Sequence, residues 1–137
     1  MKQNIFKIAV FSCLFFLASF ESKATNYEFT WVNTTSCTVT VTVKDALNTV
    51  LYSSSSGTTS AVCLTNAFTV EITDNCGYTV IYDACGNFLS SSGTKCTNCV
   101  CSPLPCRSWV ETLGSNCGPA SPTICGPGSL LLTVSVN

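Results

Sequence analysis

Ten cysteines spread from Cys37 to Cys125 constrain this chain more than any other feature; the eleventh, Cys13, sits inside an apolar leader. An even set of thiols behind a leader predicts a disulfide framework, because paired sulfurs persist in oxidising compartments and not in the cytosol. The set is Cys37, Cys63, Cys76, Cys85, Cys96, Cys99, Cys101, Cys106, Cys117 and Cys125, enough for up to five bridges. The chain also has no histidine. That removes the commonest general base and the commonest metal ligand, so the expectation is a non-enzymatic protein without cofactor or metal.

The leader must be set aside before the fold is considered. Lys2 and Lys7 open it, an almost unbroken apolar run fills residues 8–20, and Ser22-Lys23-Ala24 supplies small residues where a signal peptidase needs them. Residues 1–24 are therefore predicted to be a signal peptide and residues 25–137 a single mature domain. The apolar run is shorter than the roughly 20 residues a spanning helix needs, so no transmembrane span is expected. Bulky Phe11 ahead of Cys13, and the apolar residues after it, argue against a lipidation site.

In the mature segment, Lys44, Lys95 and Arg107 face six carboxylates: Glu28, Asp45, Glu71, Asp74, Asp83 and Glu111. Three scattered cations cannot form the clustered patch that displaces counterions from a polyanion, so nucleic-acid binding is excluded.

The dominant sequence period is two. Tyr27, Phe29 and Trp31 alternate with polar residues, as do Cys37, Val39, Val41 and Val43, then Phe68, Val70 and Ile72, then Tyr78, Val80 and Tyr82. Residues 49–53 carry the same signal, and Leu130, Leu132, Val134 and Val136 form a last apolar face. No stretch shows a helical stripe. Asp74-Asn75-Cys76-Gly77 and Asp83-Ala84-Cys85-Gly86-Asn87 read as turns, since Asp caps them and Gly accepts positive φ. A faint echo links residues 43–57 with residues 81–93, each reading strand, Asp-Ala turn, strand and serine-rich loop. Two similar turns in one sheet protein account for it more simply than duplication.

Between Cys96 and Cys125 the texture changes. Cysteines crowd together, and Pro103, Pro105, Pro119 and Pro122, with Pro127 just beyond, block ladder hydrogen bonds. Residues 95–128 therefore read as a disulfide-stapled, Cys/Pro-rich loop region inserted before the last strand. Geometry limits the pairing. An extended strand between Cys76 and Cys85 would hold them roughly 30 Å apart, so they need other partners. Cys99 and Cys101 are too close in sequence for an unstrained ring. Cys37 with Cys63, and Cys117 with Cys125, are the expected bridges, although connectivity as a whole is not deducible from spacing.

The remaining chemical candidates each have a plainer reading. The spacing of Cys96, Cys99, Cys101 and Cys106 suits zinc, but behind a leader oxidation wins. Asp45, Asp74 and Asp83 are oxygen donors that read as turn caps rather than a calcium loop. Glu28, Glu71 and Glu111 read as strand positions rather than a glycosidase carboxylate pair. Thr38, Thr40 and Thr42 form one hydroxyl row, as on ice-binding surfaces, yet one row is not a plane.

Arg107 and Trp109 are the sharper candidates for partner contact. A cationic side chain on a Cys-tethered loop is how many inhibitors fill a protease pocket, and an exposed Trp can stack on a sugar.

The fold expectation is all-β: a disulfide-rich β-sandwich of Greek key or immunoglobulin-like form. Its expected role is that of a secreted or cell-surface, non-catalytic module, with periplasm also open, binding a protein or carbohydrate ligand. Two alternatives stand beside it. One is a secreted serine-protease inhibitor presenting Arg107. The other is a self-assembling extracellular fibre or coat subunit, associating through the C-terminal strand.

Overall fold

The computed structural model describes residues 24–55, 57–97, 110–114, 117 and 124–137. The expected leader therefore lies outside the described residues, apart from Ala24. The described residues form no helix and nine strands. They are β1 (Asn26–Asn33), β2 (Val39–Lys44), β3 (Val50–Ser54), β4 (Val62–Thr65), β5 (Thr69–Asp74), β6 (Thr79–Asp83), β7 (Phe88–Ser92), β8 (Glu111–Gly114) and β9 (Leu130–Val136).

The strands form two sheets, one of four in the order β4-β1-β9-β8 and one of five in the order β3-β2-β5-β6-β7. Every pairing is antiparallel except β1 with β9, which run parallel from Tyr27 opposite Leu130 to Asn33 opposite Val136. The chain changes sheet between β1 and β2, β3 and β4, β4 and β5, and β7 and β8. The all-β, disulfide-rich sandwich expected from the alternating pattern is what forms.

Alternation explains the core. Phe29 and Trp31 on β1, Val39, Val41 and Val43 on β2, Val70 and Ile72 on β5, Val80 on β6, and Leu132, Val134 and Val136 on β9 are fully buried in one cluster. Each contributes about 1.5 to 3 kcal/mol of burial. Phe29 meets Tyr52 of β3 with ring centroids 5.0 Å apart, locking one sheet onto the other. Trp31 is wholly enclosed in this core.

Four sequence expectations need correction. Phe68 was placed on the buried face of β5, yet it is 56% exposed, because the strand begins at Thr69. Its main chain instead spans two neighbours: its N–H donates to the Lys44 carbonyl, and its carbonyl accepts from the Ala84 N–H. Residues 90–92, expected as loop, belong to β7. β4 was not expected, since it buries only Leu64. The stapled loop region contains β8, which pairs with β9 from Glu111 opposite Val136 to Gly114 opposite Thr133.

Both expected bridges are also corrected. The described disulfides are Cys63–Cys125, Cys76–Cys96 and Cys85–Cys117, and Cys37 is disulfide-bonded as well. Cys37 does not pair with Cys63, because after β3 the chain crosses to the other sheet. There β4 sets Cys63 opposite Glu28. Glu28 Oε2 accepts the N–H of Ile124 at 2.8 Å, which brings Cys125 alongside Cys63. Cys117 is held by Cys85 in the turn between β6 and β7, so it closes no small loop with Cys125.

Candidate functional site

Three aspartates build the hairpins of the five-stranded sheet. Asp45, Asp74 and Asp83 each accept, through Oδ1, the N–H groups two and four residues onward. The donors are Leu47 and Thr49, then Cys76 and Tyr78, then Cys85 and Asn87, all at 2.8 to 3.0 Å. Three residues after each Asp stands a residue at positive φ: Asn48 at 68°, Gly77 at 91° and Gly86 at 86°. This Asp-capped turn is why the chain reverses where it does, since only Gly or Asn enters that conformation cheaply. The carboxylates considered for calcium are thus occupied by main-chain donors.

The sequence echo has a structural counterpart. In both the β2–β3 and β6–β7 hairpins one residue is left unpaired two positions past the turn, Leu51 in the first and Leu89 in the second. The β5–β6 hairpin shares the Asp turn but keeps its register unbroken.

Asp74 is the most buried of the three, at 4% exposure. Its second oxygen accepts the N–H of Cys96 at 2.8 Å, so one carboxylate holds the turn after β5 and the segment after β7 together. The Cys76–Cys96 disulfide clamps the same two segments. Beside it opens a cleft of 470 Å³, bordered by Ser36, Thr38, Asn75, Thr94, Lys95 and Thr97 together with Cys37 and the bridge itself. This cleft, lined by hydroxyls and amides, is the candidate site.

Asp74, Cys76 and Cys96 bring a carboxylate oxygen and two sulfurs within 4.8 Å of one another. Both sulfurs share one disulfide and supply no thiolate, while the carboxylate already receives three N–H groups. The trio is a structural clamp and not a metal centre.

Lys95 sits between partners. Its ammonium pairs with Glu111 and lies 5.0 Å from the Tyr78 ring centroid. The Tyr82 hydroxyl donates to Glu111 Oε1 at 3.1 Å. Burial, then the Glu111 charge and hydrogen bond, then Tyr78, push the Tyr82 hydroxyl up to about 12. Burial raises the Tyr27 hydroxyl too, with the Asp83 charge adding to it. The three glutamates weighed as a carboxylate pair serve separate partners: Glu28 takes the Ile124 N–H, Glu71 binds Lys44, and Glu111 binds Lys95 and Tyr82.

Arg107, Trp109, Cys99, Cys101 and Cys106 lie outside the described residues. The cleft itself was missed by sequence reading. Its only signal was the Cys76 turn motif, and its far wall comes from the β1–β2 loop and from residues beyond β7.

No family model, no curated protein and no solved structure matches the chain. Among the described residues no helix is long and apolar enough to cross a membrane. Fold and site together define a small all-β module whose turns and sheets are joined by disulfides.

Proposed function

We propose that this chain is a secreted or cell-surface, non-catalytic binding or structural module. The observation that carries the reading is the commitment of the cleft's reactive side chains to structure. Of the lining residues, Cys76 and Cys96 are bonded to each other and Lys95 is paired with Glu111, while Asp74, outside the lining, accepts three N–H donors. A general acid, base or nucleophile needs a free proton or lone pair directed at substrate. Hydroxyls and amides around a concavity suit recognition of a protein or a carbohydrate instead. Multiple disulfides support folding in an oxidising compartment, and with the leader they support export.

The test uses the purified, oxidised protein, screened for hydrolysis of ester, peptide and glycoside substrates. No turnover is expected, and activity that persists through repurification overturns the reading. Mass spectrometry of protein recovered from the medium is expected to give a chain starting at Thr25 with its thiols bridged. Retention of the leader, or free thiols throughout, overturns export and oxidation.

A further inference from the structure

The five-stranded sheet is one strand wider than the sheet it packs on, and β7 is the outermost strand on the far side from the β3–β4 corner. All five of its residues are exposed, with Phe88 at 60% and Leu89 at 52%. Edge strands are normally guarded by Lys, Pro or a covering element, because their unpaired N–H and C=O groups template pairing with another chain. Phe88–Ser92 contains no charge and no proline.

Main-chain direction follows from the ladder. The Asp74 N–H donates to the Tyr78 carbonyl, and hydrogen-bonded pairs alternate along an antiparallel pair, so Val80 directs its main chain to β5. Thr79 and Ile81 then bond Ser92 and Ser90 across β6–β7, and Ser91, opposite Val80, turns its N–H and C=O off the open edge. No hydrogen bond among the described residues occupies them.

We propose that this edge is a pairing site for a second copy of the chain. β7 lies antiparallel to β7 of its neighbour about a two-fold axis and joins two five-stranded sheets into one. This deepens the module reading by naming a partner. A second copy is favoured over a foreign peptide because strand addition draws its specificity from side-chain pockets, and three consecutive serines form none. Self-pairing needs only the same donors and acceptors presented twice, and an uncharged strand opposes no like charges across the axis. The C-terminal strand considered earlier for association cannot serve this way, since β9 is bonded on one side to β1 and on the other to β8.

The experiment is sedimentation of the full oxidised chain over a wide concentration range. A dimer that dissociates on dilution is expected. Ser91→Pro removes the outward N–H without touching the bonds to β6, and it is expected to weaken association at least tenfold while leaving the denaturation midpoint close to that of the parent. If that variant fails to fold, Ser91→Lys and Ser91→Glu replace it: each alone is expected to be monomeric, and their mixture to form the mixed dimer. A parent that stays monomeric at every concentration overturns the proposal. So does an open-ended polymer, or association unaffected by these substitutions. Sedimentation reads assembly alone, whereas substrate turnover tests the non-catalytic reading, so the two can fail separately.

Discussion

Gly93 packs so tightly against the carbonyl of Gly77 that no Cβ fits between them. Gly93 sits at φ 80° just past β7, and Gly77 at φ 91° in the turn between β5 and β6. Gly93→Ala therefore meets both backbone strain and collision with a main-chain oxygen, and it is expected to cost roughly 2 to 4 kcal/mol. Gly126→Ala is the control, because its φ is 91° but nothing lies within 4 Å of the added carbon. That variant is expected to lose only about 1 kcal/mol. Urea midpoints of the two, compared with the parent, measure the difference.

Asp74→Ala removes the acceptor for the N–H groups of Cys76, Tyr78 and Cys96 in a buried setting. Orphaned amide donors cost about 1 to 3 kcal/mol each, so a loss of roughly 3 to 5 kcal/mol is expected. Asp45→Ala, whose two donors are exposed, is expected to cost about 1 kcal/mol or less. Chemical denaturation of both variants checks the ranking, and equal losses contradict the role given to Asp74.

Two groups set opposite pH limits. Tyr82 titrates higher folded than unfolded, so the folded state holds the extra proton. The stability it lends is complete below about pH 10 and is lost as pH rises through about 12. Ultraviolet titration should show two late tyrosines, Tyr27 and Tyr82, and Glu111→Gln should move Tyr82 alone back toward the ordinary value. Asp83 runs the other way. Burial raises its carboxyl, but hydrogen bonds from the Asn87 side chain and the amides of Asn87, Cys85 and Gly86 outweigh that and hold it below the usual range. Its contribution is present above about pH 4 and fades as pH falls through the lowered value, which a Asn87→Ala comparison in acid would reveal.

The Cys63–Cys125 bridge joins β4 to the segment ahead of β9 across a sequence separation of 62. Replacing both cysteines with serine is expected to cost about 3 to 4 kcal/mol through the freed unfolded chain. Thermal unfolding of the double variant, with the other bridges verified intact, tests this.

What could be read in advance tracks how much each strand buries. Val39, Val41 and Val43 announce β2, because a strand with one face in the core must alternate. β7 needs no apolar face, being open on both sides, so its three serines look like loop. β4 and β8 are four residues each and carry too little pattern to register. The Asp turns were legible because their chemistry is local. The bridges were not, since Cys63 meets Cys125 only after the chain has changed sheets. For the same reason Lys95, Glu111 and Tyr82 gave no hint that they would converge.

The parallel pairing of β1 with β9 also sets a clock. Thr34 bonds to the carbonyl of Val136 from 102 residues away, so a ribosome must deliver nearly the whole stretch before the first strand gains its inner neighbour. Such distant closure makes for late, slow assembly. Under the export proposed above, a translocon thus receives a thread rather than a finished body, and oxidation of the thiols follows passage instead of obstructing it.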